Sequence, residues 1–145
     1  MEANERAKIE QECRDLVTKL NHYHDHRRAE DAVALFAEDG CWIRRGRPVR
    51  GAAELLASFK RGGTRVNRHV GAATLITVKD ANHAEGVTYY LALHHDPGAQ
   101  DAKLPLPFAP PATMGEWHDK FVRTPQGWRF AERETVRVFA NGAGE

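Results

Sequence analysis

Apolar residues along this chain repeat first at helical and then at strand spacing. Ile9, Cys13, Leu16, Leu20 and Tyr23 lie alternately four and three residues apart. That is one stripe of an amphipathic helix over roughly residues 4–24. A second, shorter helix is predicted over Ala29–Ala37, burying Ala32, Val33, Leu35 and Phe36, with Gly40 as a left-handed cap. Cys41–Arg45 reads as a short strand before a turn at Arg47-Pro48, and Gly51–Arg61 as a helix ending on Gly62-Gly63. From residue 66 the pattern becomes strand-like. Val66–Val78 and His83–His95 are rich in Val, Thr, Tyr, Ile and Leu, with Asp80, Ala81 and Asn82 turning between them. Gly115–Arg123 and Trp128–Phe139 make two further strands around Thr124-Pro125-Gln126-Gly127.

Helices first and an antiparallel meander second is an α+β pattern, with one domain over residues 1–145. Residues 96–114 hold five of the seven prolines and are expected to form a loop. Its Leu104, Phe108 and Met114 are more apolar than a solvated loop needs, so they are expected to cover a pocket mouth or a partner subunit. Both faces of the long strands are apolar: Val87, Tyr89, Leu91 and Leu93 point one way, Tyr90 and Ala92 the other. Helices are therefore expected to cover one face around a pocket. A second copy of the chain is expected on the other, giving a homodimer.

Composition narrows the class. With 145 residues, 41% of them hydrophobic, the chain can line one core. Lysine and arginine number 21 against 20 acids, a net charge of +1, which predicts no strong pull toward nucleic acid or membrane. The basic residues are unevenly spread. Arg44, Arg45, Arg47, Arg50, Lys60, Arg61, Arg65 and Arg68 share their span with one acid, Glu54. Only Trp42 and Phe59 are aromatic there, so the run reads as a solvated face balanced elsewhere, and not as a nucleic-acid platform. No apolar run nears the ~20 residues of a membrane span. Met1–Gln11 is charged and carries no signal-peptide core, so a cytoplasmic location is expected. Cys13 and Cys41 read as reduced, buried thiols.

Two residues stand out chemically. Asp25 ends the long helix and His69 begins an apolar strand, followed by Gly71, Ala72 and Ala73, which are expected to leave room for a ligand. A carboxylate and an imidazole converging in an apolar pocket make a general-base pair, the first orienting the second. A helix-end carboxylate and a buried, hydrogen-bonded histidine fit the same spacing. Tyr23, Trp42, Tyr89 or Tyr90, Trp117, Asp119 and Arg133 are further pocket candidates, suited to an apolar or aromatic molecule, although core packing also explains the aromatics. His22 and His26 lie one turn apart, but no cysteine or distant ligand set joins them, so no metal is expected. No glycine pattern for phosphate is present, and no cofactor is implied.

The order of these segments carries a resemblance. After the helix ending near Asp25 come Asp31-Ala-Val-Ala-Leu-Phe-Ala-Glu-Asp-Gly40, Cys41-Trp-Ile43, Gly51 and Arg68-His69-Val70. Gly115-Glu-Trp-His-Asp-Lys-Phe-Val-Arg-Thr-Pro-Gln-Gly-Trp-Arg-Phe130 closes the series and is its most specific part. Over nearly the whole chain this resembles the SnoaL-like branch of the nuclear transport factor 2-like superfamily. The resemblance implies a cystatin-like α+β cone, a curved antiparallel sheet wrapped around a long helix with a deep pocket. Scytalone dehydratase, hexachlorocyclohexane dehydrochlorinase and the bile-acid dehydratase pair an Asp at the end of the first helix with a His at the start of the first long strand. Those positions fall on Asp25 and His69. The tyrosine common in the dehydratases five residues before that Asp is Leu20 here. The function implied is a cofactor-free lyase or isomerase acting on a small hydrophobic, cyclic or aromatic molecule. His69 takes a proton, Asp25 orients it, and Arg133 or a tyrosine meets the developing oxyanion. The alternative is a non-catalytic small-molecule binder, or an assembly protein like the small subunits of ring-hydroxylating dioxygenases.

Overall fold

A computed structural model describes residues 1–141. Helix α1 (Ala3–Asp25) buries Ile9, Cys13, Leu16, Val17 and Leu20, the expected stripe with Val17 added and with Tyr23 only partly buried. It closes in a Schellman motif. Arg27, at φ 58°, donates its N–H to the His24 carbonyl (3.2 Å), and the Arg28 N–H reaches the Tyr23 carbonyl (2.8 Å). A left-handed arginine costs about 1–2 kcal/mol. Its side chain holds it there: the guanidinium donates to the carbonyls of Gly63 and Arg65 and to the Gln100 side chain. The last turn of α1 is thereby tied to the segment that leads into β3.

Helix α2 (Ala29–Val33) is shorter than the apolar pattern predicts, because strand β1 (Phe36–Arg44) begins at once. The Leu35 carbonyl accepts the Phe130 N–H (2.9 Å), so sheet pairing takes over from the helix. Gly40 is accordingly no cap. It lies inside β1, where a Cβ would stand 2.9 Å from both the Ala37 carbonyl oxygen and the Phe36 Cβ. Arg47-Pro48 is no turn either. It opens β2 (Arg47–Arg50), and the hairpin turns at Arg45-Gly46, both at positive φ as a type I′ turn requires. Helix α3 (Gly51–Lys60) buries Leu55 and Phe59.

The single strand expected over Val66–Val78 is two, β3 (Val66–Gly71) and β4 (Leu75–Val78), both antiparallel to β5 (His83–His95). With β6 (Thr113–Thr124) and β7 (Gly127–Ala140), the sheet runs β2-β1-β7-β6-β5-β3, with β4 beside β5. Its neighbours are antiparallel except β1 and β7, which pair in parallel. Register shifts between β6 and β7 at Met114/Gly115 and Lys120/Phe121 bend the sheet. At Gly115 a Cβ would lie 2.2 Å from the Val136 carbonyl oxygen, so only glycine fits.

Burial alternates along β5 and β6. Thr88, Tyr90, Ala92, Trp117, Asp119 and Phe121 face inward, while Tyr89, Leu91, Val70 and Val136 stand exposed outside. The result is an α+β fold whose sheet curls around α1. Leu104 and Phe108, 67% and 89% exposed, do not line the cavity described below, which corrects the pocket-mouth half of that expectation; Met114 is half-buried within β6. Cys13 and Cys41 are buried free thiols, and burial pushes the Cys13 thiol up to about 12. It therefore stays protonated and inert at neutral pH. No helix among the described residues is long and apolar enough to cross a membrane.

Candidate active site

Strand β3 leaves the Arg27-tied segment and passes the end of α1, which sets His69 against Asp25. The His69 main-chain N–H donates to Asp25 Oδ2 (2.8 Å), and its ring Nδ1 meets Oδ1 at 2.6 Å. Both side chains are nearly enclosed, 8% and 5% exposed. A carboxylate holding the main chain and the ring of one residue fixes that ring's rotation. It also places the ring proton on Nδ1 and leaves the lone pair on Nε2, the arrangement of a general base.

His69 lines a cavity of about 620 Å³ whose walls include His24, Trp42, Asn67, Trp117 and Thr135. Trp42 is oriented by its indole N–H, which donates to the Thr135 hydroxyl (2.8 Å). Trp117 stacks on Tyr90 with centroids 4.5 Å apart and lies 5.9 Å from the His69 ring. Arg44, Arg45, Arg61, Arg65 and Arg137 complete the polar wall. The Arg44 guanidinium lies 3.9 Å from the Trp42 ring centroid and donates to Ser58 Oγ (3.0 Å).

His24 is stacked on His69 (5.1 Å) and meets Trp42 and Phe59 edge-on. Burial first, then the charges of His69, Arg44, Arg65 and Arg133, hold its imidazole well below the ordinary histidine value of 6.5. The folded state therefore takes this proton less readily than the unfolded one. The stability it confers is present above pH 6.5 and is lost as the unfolded chain protonates below it. The expected slope below that point is up to about 1.4 kcal/mol per pH unit, over the window where only the unfolded histidine is charged. Thermal melts at several pH values should show a flatter acid limb for His24→Gln than for the wild-type chain. Parallel limbs would count against this account.

Of the residues predicted for the site, Asp25, His69, Trp42 and Trp117 come together. Tyr23, Tyr89 and Arg133 do not line the cavity, which corrects those predictions. Tyr23 packs against the core beneath the Arg28 guanidinium (4.5 Å). Tyr89 is 56% exposed on the outer face, because odd positions of β5 point away from α1; Tyr90 is the inward one. Arg133 is fully buried in a bidentate pair with Asp119, at 2.7 and 2.8 Å. Burial lifts the Asp119 carboxyl above the usual aspartate range against the pull of that guanidinium. The small residues after His69 make no ligand space, since a Cβ at Gly71 would meet the Asn21 side chain at 3.3 Å and Trp117 at 3.6 Å.

Sequence reasoning missed His24 and the arginines of the wall. His24 stands four residues after buried Leu20, so the helical period would have placed it on the core side. Arg44 stands two after Trp42 on one strand face, another readable signal. Among the described residues, His24, Asp25 and His69 bring possible metal-ligand atoms within 4.8 Å of one another. A cation there competes with the two bonds that Asp25 already makes to His69. His22 and His26 instead stack ring on ring at 4.2 Å, and His26 Nδ1 bonds the His22 carbonyl (2.9 Å).

Residues 5–134 match the SnoaL-like domain family. A scytalone dehydratase-like protein from Novosphingobium aromaticivorans is 17% identical and superposes with a TM-score of 0.79 over 99% of each chain. A hexachlorocyclohexane dehydrochlorinase, LinA type 2, is 15% identical with a TM-score of 0.80, covering 99% of this chain and 95% of its own. A nuclear transport factor 2-like protein with a cystatin-like fold, also from Novosphingobium aromaticivorans, is 20% identical, with a TM-score of 0.76 over 95% of this chain and 87% of its own. These likenesses establish the cystatin-like fold. No curated protein matches the sequence.

Proposed function

We infer that this chain, which belongs to the SnoaL-like domain family, is a lyase or isomerase that works by proton abstraction and whose own base is His69. One observation carries the reading: the His69 ring lines the cavity while Asp25 grips it from behind at 2.6 Å. His69 Nε2 removes a proton from a carbon next to a carbonyl or a leaving group. Asp25 stabilises the imidazolium that forms. The same proton then goes to a departing hydroxide, giving water and an alkene, or to a neighbouring carbon, giving an isomer. Neutral His24 beside the ring adds no competing positive charge. Arg133 is sealed beneath the wall, so a developing oxyanion depends on donors that line the cavity, such as Asn67. Structural neighbours that bear dehydratase and dehydrochlorinase names support elimination as the reaction type. Two copies are proposed to meet through the outer sheet face, where Val70, Tyr89, Leu91 and Val136 stand exposed.

The test is solvent exchange. Cyclic β-hydroxyketones and chlorinated cyclohexanes are incubated with the protein in D2O and followed by proton NMR. Deuterium entering the acidic carbon, or loss of water or chloride, is the expected result. Compounds that bind without exchange or elimination would leave a binding protein and remove the catalytic reading.

A further inference from the structure

We propose that His24 and Asn67 together hold the oxygen of the substrate, each donating an N–H to a carbonyl beside the carbon that His69 deprotonates. This rests on the reading above and names its substrate class, a carbonyl compound and not a chlorinated hydrocarbon. The two side chains come from different elements, α1 and β3, and both line the cavity. Asn67 stands two residues before His69, hence on the same face of the strand. The His24 and His69 rings lie 21° from parallel, with a nitrogen of one within 4.8 Å of a nitrogen of the other. A carbonyl oxygen is about 2.4 Å from the neighbouring carbon. Base-to-carbon and donor-to-oxygen contacts of about 3 Å therefore let one molecule span both rings.

The hydrogen bonding of the wall points the same way. Among the described residues no hydrogen bond engages either ring nitrogen of His24 or the side-chain amide of Asn67, and none of these atoms is sealed from solvent. The neutral hydroxyls of the wall already have partners: Ser58 accepts from Arg44, and Thr135 from Trp42. An imidazole set between Trp42, Phe59 and His69 with no protein partner is a polar group in want of one, which a ligand supplies. A smaller cavity of about 150 Å³ adjoins, and His24 and Asn67 line it too, with the charged Arg27, Glu30 and Lys60. The polar end of the substrate therefore faces that side, while its ring rests on Trp42 and Trp117. Burial, and after it the charges of His69, Arg44, Arg65 and Arg133, keep the His24 ring neutral. A neutral donor holds a developing negative charge without adding a positive one that would oppose protonation of His69. In the step itself, His69 Nε2 takes the proton and the C–H electron pair becomes the new carbon–carbon π bond. The carbonyl π pair moves onto the oxygen, where the two N–H groups meet it.

The probe is 2-naphthol, whose ionised oxygen stands in for that of an enolate, with naphthalene as the counterpart that lacks it. Absorbance and fluorescence titrations of the whole chain give the affinity of each compound and the pH at which bound 2-naphthol ionises. Bound to the unaltered chain, 2-naphthol should ionise at a lower pH than it does free in solution. His24→Phe keeps a stacked ring without its nitrogens, and Asn67→Ala removes the amide. Each should raise that pH by about one unit, tenfold in the ionisation constant, with naphthalene affinity unchanged and folding checked by circular dichroism. His24→Gln, which retains an N–H, should keep part of the shift. An ionisation pH that neither variant moves overturns the proposal, as does an equal loss of affinity for both compounds, the mark of a packing role. Where one variant does not fold, the other decides. The donor effects need no turnover. Absence of exchange in D2O with the donor effects present counts against the catalytic reading alone, and exchange with no donor effect counts against this inference alone.

Discussion

His69→Ala and Asp25→Asn are each expected to lower turnover by on the order of 10²- to 10⁴-fold, with ligand affinity close to that of the unaltered chain. For His69 the reason is direct, since the lone pair on Nε2 is removed. For Asp25 it is geometric. One carboxylate oxygen accepts the His69 main-chain N–H and the other faces Nδ1. An asparagine can keep the first bond only by turning its amide NH2 toward Nδ1. The ring must then carry its proton on Nε2, the wrong tautomer for a base. The two losses should not add, because each disables the same unit. Turnover, ligand titration and melting of both single variants and the double variant check this together. Folded, fully active variants would remove the pair from catalysis. Folded variants that lose affinity and turnover alike would make it a binding contact. His69→Gln keeps a polar group at the position and serves if the alanine variant does not fold.

How far the sequence speaks depends on whether a residue's surroundings are local. The α1 stripe was legible because Ile9, Cys13, Leu16 and Leu20 meet one core at helical spacing. Asp25 and His69 were legible as the end of a helix and the start of a strand, with a family resemblance to join them. Phe36 was misread as helical, because its partner Phe130 lies far along the chain and the pull toward β1 comes from β7. Tyr89 and Tyr90 could not be told apart by alternation while both strand faces were apolar. The arginines of the cavity were hardest to place. Their convergence requires the hairpin at Arg45-Gly46, the α3–β3 connection and β7 to be set in space together. Sequence distance hides that, so the run read as a solvated face.

Arg133 and Asp119 were named from the sequence as pocket residues, and the largest stability effect is expected from separating them. They face each other across β6 and β7, at 0% and 2% exposure. The guanidinium also lies 4.4 Å from the Trp117 ring centroid and 5.5 Å from that of Trp42, so it backs the apolar wall of the cavity. Arg133→Ala leaves a carboxylate with no counter-charge in a dry interior, which costs about 3–5 kcal/mol. A domain of this size has only about 5–15 kcal/mol in total. Burial already lifts the Asp119 carboxyl with its partner present, and removing the partner lifts it further. Above the unfolded carboxyl value the variant must either bury a charge or bind a proton, so its penalty grows with pH. Its deficit in denaturant midpoint is therefore expected to be larger at about pH 8 than at about pH 5. Arg133→Met with Asp119→Leu removes both charges and should recover most of the loss, because apolar replacement of a buried pair is often neutral or better. A deficit independent of pH, or a double variant no more stable than Arg133→Ala, would mean that Arg133 contributes packing beneath Trp117 and not charge.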